Sequence, residues 1–333
     1  MKAAVLYAAD ADPVYGDSDE PAAGPDTQLV DLVAAGIHHV TRSVASGRHY
    51  SRAAAFPVIP GLNAVARDAA GRLVFTASSP PPHGTLAERI VSPDAMRFPL
   101  PAGASPEAVA AGVNPGLASW LPLQALPGGP AGPLSTGSLG TGSLGTVLVL
   151  GVTGMSGYLA VQNARLLGTG RVIGAGRSPA GLDRAAAAGA ETVALTGDRD
   201  ADAAALAEAL DGAVPGLVLD FVWGPVAETA FRALGWPGLA EDAAGTSYVQ
   251  IGALGGAEAA VPSALLRSRR VSISGSGLGS VSPAQIKARI PEYIQLIADG
   301  SVQVPYRTFP LSDIGAAWTA SAESGPRVVV LPG

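Results

Sequence analysis

No cysteine occurs among the 333 residues of this chain. Disulfides, iron–sulfur clusters, thiolate nucleophiles and every cysteine-containing zinc site are therefore excluded. Cysteine usage leaves the cellular compartment unmarked, and we expect the cytoplasm.

Charged residues are scarce as well, at 14% of the chain against roughly 25% in typical soluble domains. The 21 Lys and Arg against 27 Asp and Glu give a formal net charge of −6, which argues against nucleic acid or an anionic membrane as the main partner. Hydrophobic residues make up 48%, enough for a large core. Because one core stops growing at roughly 250–300 residues, we expect two domains.

The sequence also lacks an uninterrupted apolar run of membrane-spanning length. The apolar stretch at the N-terminus is too short for a signal-peptide core of about 7–15 residues. Between Glu107 and Arg165 no charged residue occurs, but prolines and glycines cut this stretch repeatedly. It predicts buried structure plus a surface loop at 127–145, where the five residues TGSLG are repeated once.

The first hundred residues contain short apolar segments separated by glycine and proline turns, with strand-like stretches at 2–7, 28–34, 73–76 and 87–91. This pattern predicts a small barrel-like β domain. Next, Ser105 and Pro106 predict the start of a helix that breaks near 114–116, followed by a second helix over 117–126.

From residue 146 onward, apolar strands alternate with helical segments. The strands are predicted at 146–150, 171–175, 192–195, 217–222, 248–251 and 271–274. Six strands with intervening helices predict a doubly wound parallel sheet, and the whole chain an α/β protein. The tail returns to β character at 304–309 and 327–331. We therefore expect one domain of residues 1–118 completed by 300–333, and another of residues 119–299.

A glycine-rich turn, VLVLGVTGMSG at 147–157, joins the first of these strands to a helix. A dinucleotide pyrophosphate needs free backbone N–H groups at a helix N-terminus and no side chain blocking its approach. The strict G-x-G-x-x-G pattern is not met, because Val152 stands at its first position. The turn still predicts dinucleotide binding, with the contacts Gly154, Met155, Ser156 and Gly157.

The end of the next strand indicates which dinucleotide binds. An NAD site carries an acid about 20 residues past the glycines, to bind the ribose 2′-hydroxyl. Here no acid occurs between Gly154 and Asp183, and Arg177 and Ser178 stand at the strand end instead. A guanidinium suits a 2′-phosphate, so we expect NADPH rather than NADH.

In order and spacing, the sequence resembles the medium-chain dehydrogenase/reductase superfamily, in its zinc-free quinone oxidoreductase-like branch. The resemblance runs essentially end to end: the opening MKAAVLY, residues 34–61, GTLAERIVSP at 84–93, NPGLASW at 114–120, the glycine turn, YVQIGALGG at 248–256 and the closing PRVVVLPG. It implies a GroES-like N-terminal domain, a Rossmann domain, a cleft between them and a homodimer.

The same resemblance implies that no metal is bound. Where zinc-containing members carry their ligands, this chain has His38, then Leu62 and Asn63, then Asn114. One potential ligand of three cannot hold a catalytic zinc, which needs three protein ligands and an open position.

Without a metal, the chemistry favours quinones and α,β-unsaturated carbonyls, because hydride transfer to them gives a delocalised anion that a hydrogen-bond donor or water can protonate. Candidate donors are Tyr50 and His38, with Asn63 as a neutral hydrogen-bonding group. Tyr50 is equally compatible with packing at a domain edge. The resemblance further implies contacts to the nicotinamide half from Gly252, Ala253, Ser276, Gly277 and Asn114.

The sequence therefore predicts an NADPH-dependent reductase of small quinones or activated carbon–carbon double bonds. Two alternatives stay open: an NADPH-dependent carbonyl or imine reductase of a biosynthetic pathway, and a nucleotide-binding protein of this fold without redox activity.

Overall fold

A computed structural model describes residues 1–47, 55–77, 82–125, 145–235 and 245–333. The chain forms two compact units, one of Met1–Pro115 with Lys287–Gly333 and one of Gly116–Ile286. The chain passes from the first unit to the second within one long helix and returns within another. The predicted domain limits, 1–118 with 300–333 and 119–299, stay a prediction.

The first unit is built around antiparallel strands. In chain order its N-terminal part contains β1 (Lys2–Val5), β2 (Val14–Asp17), β3 (Thr27–Ile37), α1 (His39–Ala45), β4 (Asn63–Arg67), β5 (Leu73–Ala77), β6 (Arg89–Pro93), β7 (Arg97–Pro99) and α2 (Pro106–Ala125). Strands β1 and β2 pair with each other. The long strand β3 is central to the larger sheet, because it pairs with both β4 and β6.

Helix α2 corrects one prediction. The sequence predicted a break near residues 114–116, but α2 is continuous over Pro106–Ala125 with Pro115 inside it. Proline at this position removes one backbone hydrogen bond. Burial of apolar side chains on both sides, among them Val113 and Leu117, favours the unbroken helix. The predicted helix start is confirmed, because the Ser105 hydroxyl accepts a hydrogen bond from the Ala108 amide at 3.1 Å.

The second unit contains the predicted parallel sheet. Its elements are β8 (Thr146–Leu150), α3 (Met155–Leu166), β9 (Arg171–Gly176), α4 (Pro179–Ala187), β10 (Glu191–Ala194), α5 (Arg199–Leu210), β11 (Leu217–Asp220), α6 (Pro225–Leu234), β12 (Thr246–Gln250), α7 (Ser263–Ser268) and β13 (Val271–Gly275). The strand order is β10-β9-β8-β11-β12-β13, and every pair is parallel. This is the order of a doubly wound dinucleotide-binding sheet.

The C-terminal segment completes the first unit. After α8 (Pro283–Ala298) come β14 (Tyr306–Pro310), α9 (Ile314–Ala320) and β15 (Arg327–Leu331). Strand β15 pairs antiparallel with β3, so the sheet has the order β14-β15-β3-β4-β5-β7 with β6 beside β3. Buried apolar residues along β3 and β15 share one core with Leu6 and Leu86. No helix in the described ranges is both long enough and apolar enough to span a membrane.

Candidate dinucleotide site

The carboxyl ends of β8 and β11 lie where the strand order reverses, which is where open α/β sheets bind their ligands. Strand β8 leads into the glycine turn, and Gly151 adopts a positive φ of 85° there. Gly154 is the N-cap residue of α3 and offers no side-chain acceptor. The first amides of α3 are therefore open to an anionic ligand at the positive end of the helix dipole.

The two glycines of this turn differ in what they permit. A Cβ on Gly157 would stand 2.3 Å from the Gly151 carbonyl oxygen, so packing of α3 against the turn requires glycine there. A Cβ on Gly154 would meet only the same oxygen, at an ordinary 3.6 Å. Nothing in the described fold requires glycine at position 154, and its open face fits the close approach of a diphosphate.

Val152, which breaks the strict glycine pattern, is accommodated by a glycine on the neighbouring strand. Val152 is fully buried, and a Cβ on Gly174 would lie 2.6 Å from its Cγ2 atom. Gly176 and Gly181 make room for Thr153 in the same way. Sequence reasoning missed these three glycines, because only the pairing of β8 with β9 brings Gly174 and Gly176 to the turn, and only the packing of α4 brings Gly181 there.

The end of β9 carries the predicted 2′-phosphate residues. Arg177 is exposed, and its side chain has no hydrogen bond or ion pair to any other described residue. Ser178 is the N-cap of α4, where its hydroxyl oxygen accepts a hydrogen bond from the Gly181 amide at 3.3 Å. The Ser178 hydroxyl can still donate its proton to a ligand, and all the N–H donors of the Arg177 guanidinium are available to one.

A buried acid holds the turn after β11. The Asp220 carboxylate accepts hydrogen bonds from the Val222 and Trp223 amides, both at 2.8 Å, and from the Tyr248 hydroxyl at 2.6 Å. Burial raises the pKa of Asp220, and these three donors oppose the rise. The acid that ends the apolar run LVLD at 217–220 is the signal in the sequence that marks this turn. Its partner Tyr248 lies 28 residues away and could not be found from it.

Four predicted contacts to the nicotinamide half follow β12 and β13, at the same carboxyl end of the parallel strands as the glycine turn. Gly252 donates its amide hydrogen to the Asp220 carbonyl at 3.1 Å, and a Cβ there would lie 2.4 Å from the Phe221 carbonyl. Ser276 donates to the Gln250 carbonyl at 2.9 Å. Ala253 and Gly277 are exposed. Both residues follow the carboxyl ends of their strands, as the glycine turn does, and the Gly277 amide donates a hydrogen bond to the Ser280 hydroxyl oxygen at 2.7 Å.

His38 and Asn63 belong to the first unit and pair with each other. The His38 Nε2 atom lies 3.1 Å from Asn63 Oδ1, and both side chains are buried. Since Oδ1 only accepts, Nε2 carries the proton. Burial, with the nearby Arg327 charge, lowers the pKa of His38 to about 3. The imidazole is neutral near pH 7, with its N–H engaged, which makes it a poor general acid.

The remaining predicted residues are less informative. Asn114 is half-buried in the middle of the continuous helix α2, where the sequence predicted a break. Tyr50 lies outside the described residues, as does almost all of the 127–145 loop. Within the described residues, no group of three His, Cys, Asp or Glu side chains has the geometry of a metal site.

Comparisons with known proteins agree with this arrangement, although no family model matches the chain. The chain is 28% identical over 362 residues to a probable NADPH-dependent quinone reductase, tdiC, of Emericella nidulans, with 96% of both chains covered. It is 27% identical to the quinone oxidoreductase of Thermus thermophilus, at a TM-score of 0.77 over 99% of this chain and 100% of that one. A mycobacterial structure complexed with NADPH has the same fold, with 22% identity, a TM-score of 0.78 and complete coverage of both chains.

The fold and the turn at the sheet edge define a dinucleotide-dependent oxidoreductase with a β-rich domain and a Rossmann domain. The predicted resemblance to the medium-chain dehydrogenase/reductase superfamily is confirmed by the same comparisons.

Proposed function

We propose that this chain is an NADPH-dependent reductase that transfers hydride to a quinone or an α,β-unsaturated carbonyl without a bound metal. One observation carries the cofactor assignment. The N-terminus of α3 has no side-chain cap and is open at its N-cap residue Gly154, and an arginine with no partner among the described residues stands where an NAD site has an acid. The names of the Emericella and Thermus relatives support both the cofactor and the substrate class.

Each part of the cofactor has candidate partners. The amides of Met155, Ser156 and Gly157 would bind the pyrophosphate, and Arg177 with Ser178 the 2′-phosphate. Backbone groups at Gly252, Ala253, Ser276 and Gly277 would orient the nicotinamide and its ribose. When bound, the cofactor supplies the hydride, while the protein supplies position and electrostatics.

The residues at the family's zinc positions support a metal-free reaction. Two of them, His38 and Asn63, are hydrogen-bonded to each other, and neither is a carboxylate or thiolate. An unactivated ketone would need a Lewis acid to stabilise the developing alkoxide, whereas a quinone or enone spreads the charge over its own conjugated system. Tyr50 remains the proposed hydrogen-bond donor to the substrate oxygen, with water as the other proton source.

Steady-state NADPH oxidation tests this proposal. We expect turnover of 1,4-naphthoquinone and methyl vinyl ketone, none of a simple ketone such as cyclohexanone, and the same rates after treatment with 1,10-phenanthroline. The matched control is the same panel with NADH, which should give a lower kcat/KM. Turnover of the ketone alone would favour the carbonyl or imine reductase. Tight NADPH binding without any turnover would favour the protein without redox activity, and loss of rate with the chelator would contradict the metal-free reaction.

A homodimer is part of the proposal. Strand β13 lies at the edge of the parallel sheet and pairs on one side with β12. An exposed strand edge presents unpaired N–H and C=O groups that a second copy can satisfy. Exposed Leu254 and Leu278 follow β12 and β13, and they would add apolar area to such an interface.

A further inference from the structure

A second arginine, Arg184 on helix α4, contacts the glycine turn directly. Its Nη2 atom donates a hydrogen bond to the Thr153 carbonyl oxygen at 3.0 Å. Its guanidinium carbon lies 5.7 Å from the centre of the Tyr158 ring on α3. Arg184 is half-buried, and no carboxylate forms an ion pair with it in the described part of the chain. Most of its five N–H donors therefore remain available.

The packing of α4 determines where this guanidinium lies. A Cβ on Gly181 would stand 2.5 Å from the Thr153 Cβ, so this side of α4 lies directly against the turn. Arg184 is three residues further along the helix and therefore shares that face with Gly181. The neighbouring acid, Asp183, is exposed and points about 100° away from Arg184 around the helix axis, and the two side chains form no ion pair.

This position is next to the expected place of the adenosine ribose. In a Rossmann site the pyrophosphate lies at the N-terminus of the helix after the glycine turn, and the ribose 2′ group lies at the end of the following strand. Here that strand end carries Arg177 and Ser178 and leads into α4. A guanidinium that bridges α4 and Thr153 stands between the two. By bonding to the Thr153 carbonyl, it also covers a dipole whose negative end would repel a phosphate.

We propose that Arg184 is a second cationic ligand of the adenosine 2′-phosphate and acts together with Arg177. The proposal rests on the proposed NADPH site and adds a cofactor-specificity residue to it. Arg177 reaches the phosphate from the exposed strand end. Arg184 approaches from the side of α4, where its hydrogen bond to Thr153 holds the planar group in place before the ligand arrives.

Calorimetric binding of fragments separates this role from a structural one. The variants are Arg184→Gln, Arg184→Met and Arg177→Ala, with Arg165→Gln as the matched loss of an exposed arginine at the other end of α3. The ligands are 2′,5′-ADP and NADPH, which carry the 2′-phosphate, and 5′-ADP and NADH, which lack it. Arg184→Met keeps most of the aliphatic contact with Tyr158 and serves if the glutamine variant does not fold.

We expect Arg184→Gln to weaken the binding of 2′,5′-ADP and NADPH by about tenfold, which is about 1.4 kcal/mol, since the variant loses a charge-assisted hydrogen bond to the phosphate. Affinity for 5′-ADP and NADH should change by less than about twofold, as should all four affinities in Arg165→Gln. In the double variant Arg177→Ala/Arg184→Gln, the loss of affinity for 2′,5′-ADP should differ from the sum of the losses in the two single variants, because both arginines act on one phosphate.

The other outcomes are distinct. An equal loss for all four ligands would mean that Arg184 only supports the turn, and unchanged binding would mean that it has no role; either result overturns the inference. A wild-type protein that binds neither NADPH nor 2′,5′-ADP would instead overturn the proposed cofactor.

Discussion

At the scale of single residues, three buried side chains of the first unit that are far apart in the chain interact with one another. His38 and Asn63 are hydrogen-bonded and buried, and Arg327 lies near enough to lower the pKa of His38. Arg327 is buried, and its Nη1 atom donates to the Ile37 carbonyl at 3.2 Å. Burial lowers its pKa to about 10, which leaves it charged near neutrality. The pair beside this cation is therefore neutral and fixed in orientation.

His38→Gln tests this description through the pH dependence of stability. The pKa of His38 falls from the ordinary 6.5 to about 3 in the folded chain, so the unfolded chain binds the extra proton between these values. Wild type should lose stability as the pH falls from 6.5 towards 3, by up to about 1.4 kcal/mol for each pH unit from this residue. Urea unfolding at pH 7, 6, 5 and 4 should give a shallower pH slope for the variant. Parallel slopes would contradict the depressed pKa.

At the scale of elements, the turn between β8 and α3 combines two opposite requirements. Gly157 allows α3 to pack on the Gly151 carbonyl, while Gly154 leaves the helix N-terminus open. The neighbouring turn at the carboxyl end of the sheet, after β11, is held by the Asp220 carboxylate. The carboxyl end of the sheet therefore carries turns whose shape is fixed by packing and buried hydrogen bonds, and the open backbone amides are those at the N-terminus of α3.

Gly154→Ala and Gly157→Ala form a matched pair of one-methyl changes. Gly157→Ala should lower the free energy of unfolding by about 1–3 kcal/mol, because the methyl overlaps backbone. Gly154→Ala should cost less than about 1 kcal/mol in stability. It should nevertheless weaken NADPH and NADH alike, by roughly tenfold, because the methyl stands where the diphosphate approaches a helix N-terminus. Denaturant unfolding and calorimetry measure the two effects. Unchanged affinity of Gly154→Ala for both nucleotides would place the pyrophosphate elsewhere.

At the scale of the whole molecule, each compact unit has its own sheet and its own core. In the second unit, the sheet ends on one side with β13, whose Ser272 and Ser274 are exposed. The proposed homodimer would pair this edge with the same edge of a second copy, so that each residue meets its symmetry mate or a near neighbour.

Light scattering after size-exclusion chromatography tests the assembly. Wild type should elute at twice the chain mass, and Ser274→Lys should shift the equilibrium towards monomer, because like charges would face each other across the two-fold axis. Ala187→Lys adds the same charge on the exposed surface of α4 and should stay dimeric. A wild-type monomer at every concentration would contradict the homodimer.

The local pattern of residues was enough to predict the two-part α/β fold and the glycine turn. The lack of an acid after β9 is visible directly in the sequence. These features depend on neighbours in the chain: alternation of apolar segments, glycines at a strand end and the residue type that follows a strand. The continuous helix α2, the His38–Asn63 pair, the Asp220–Tyr248 hydrogen bond and the contact of Arg184 with Thr153 could not be predicted in this way. Each depends on burial or on residues brought together across 25 or more positions of the chain, and that proximity is created by sheet pairing and core packing.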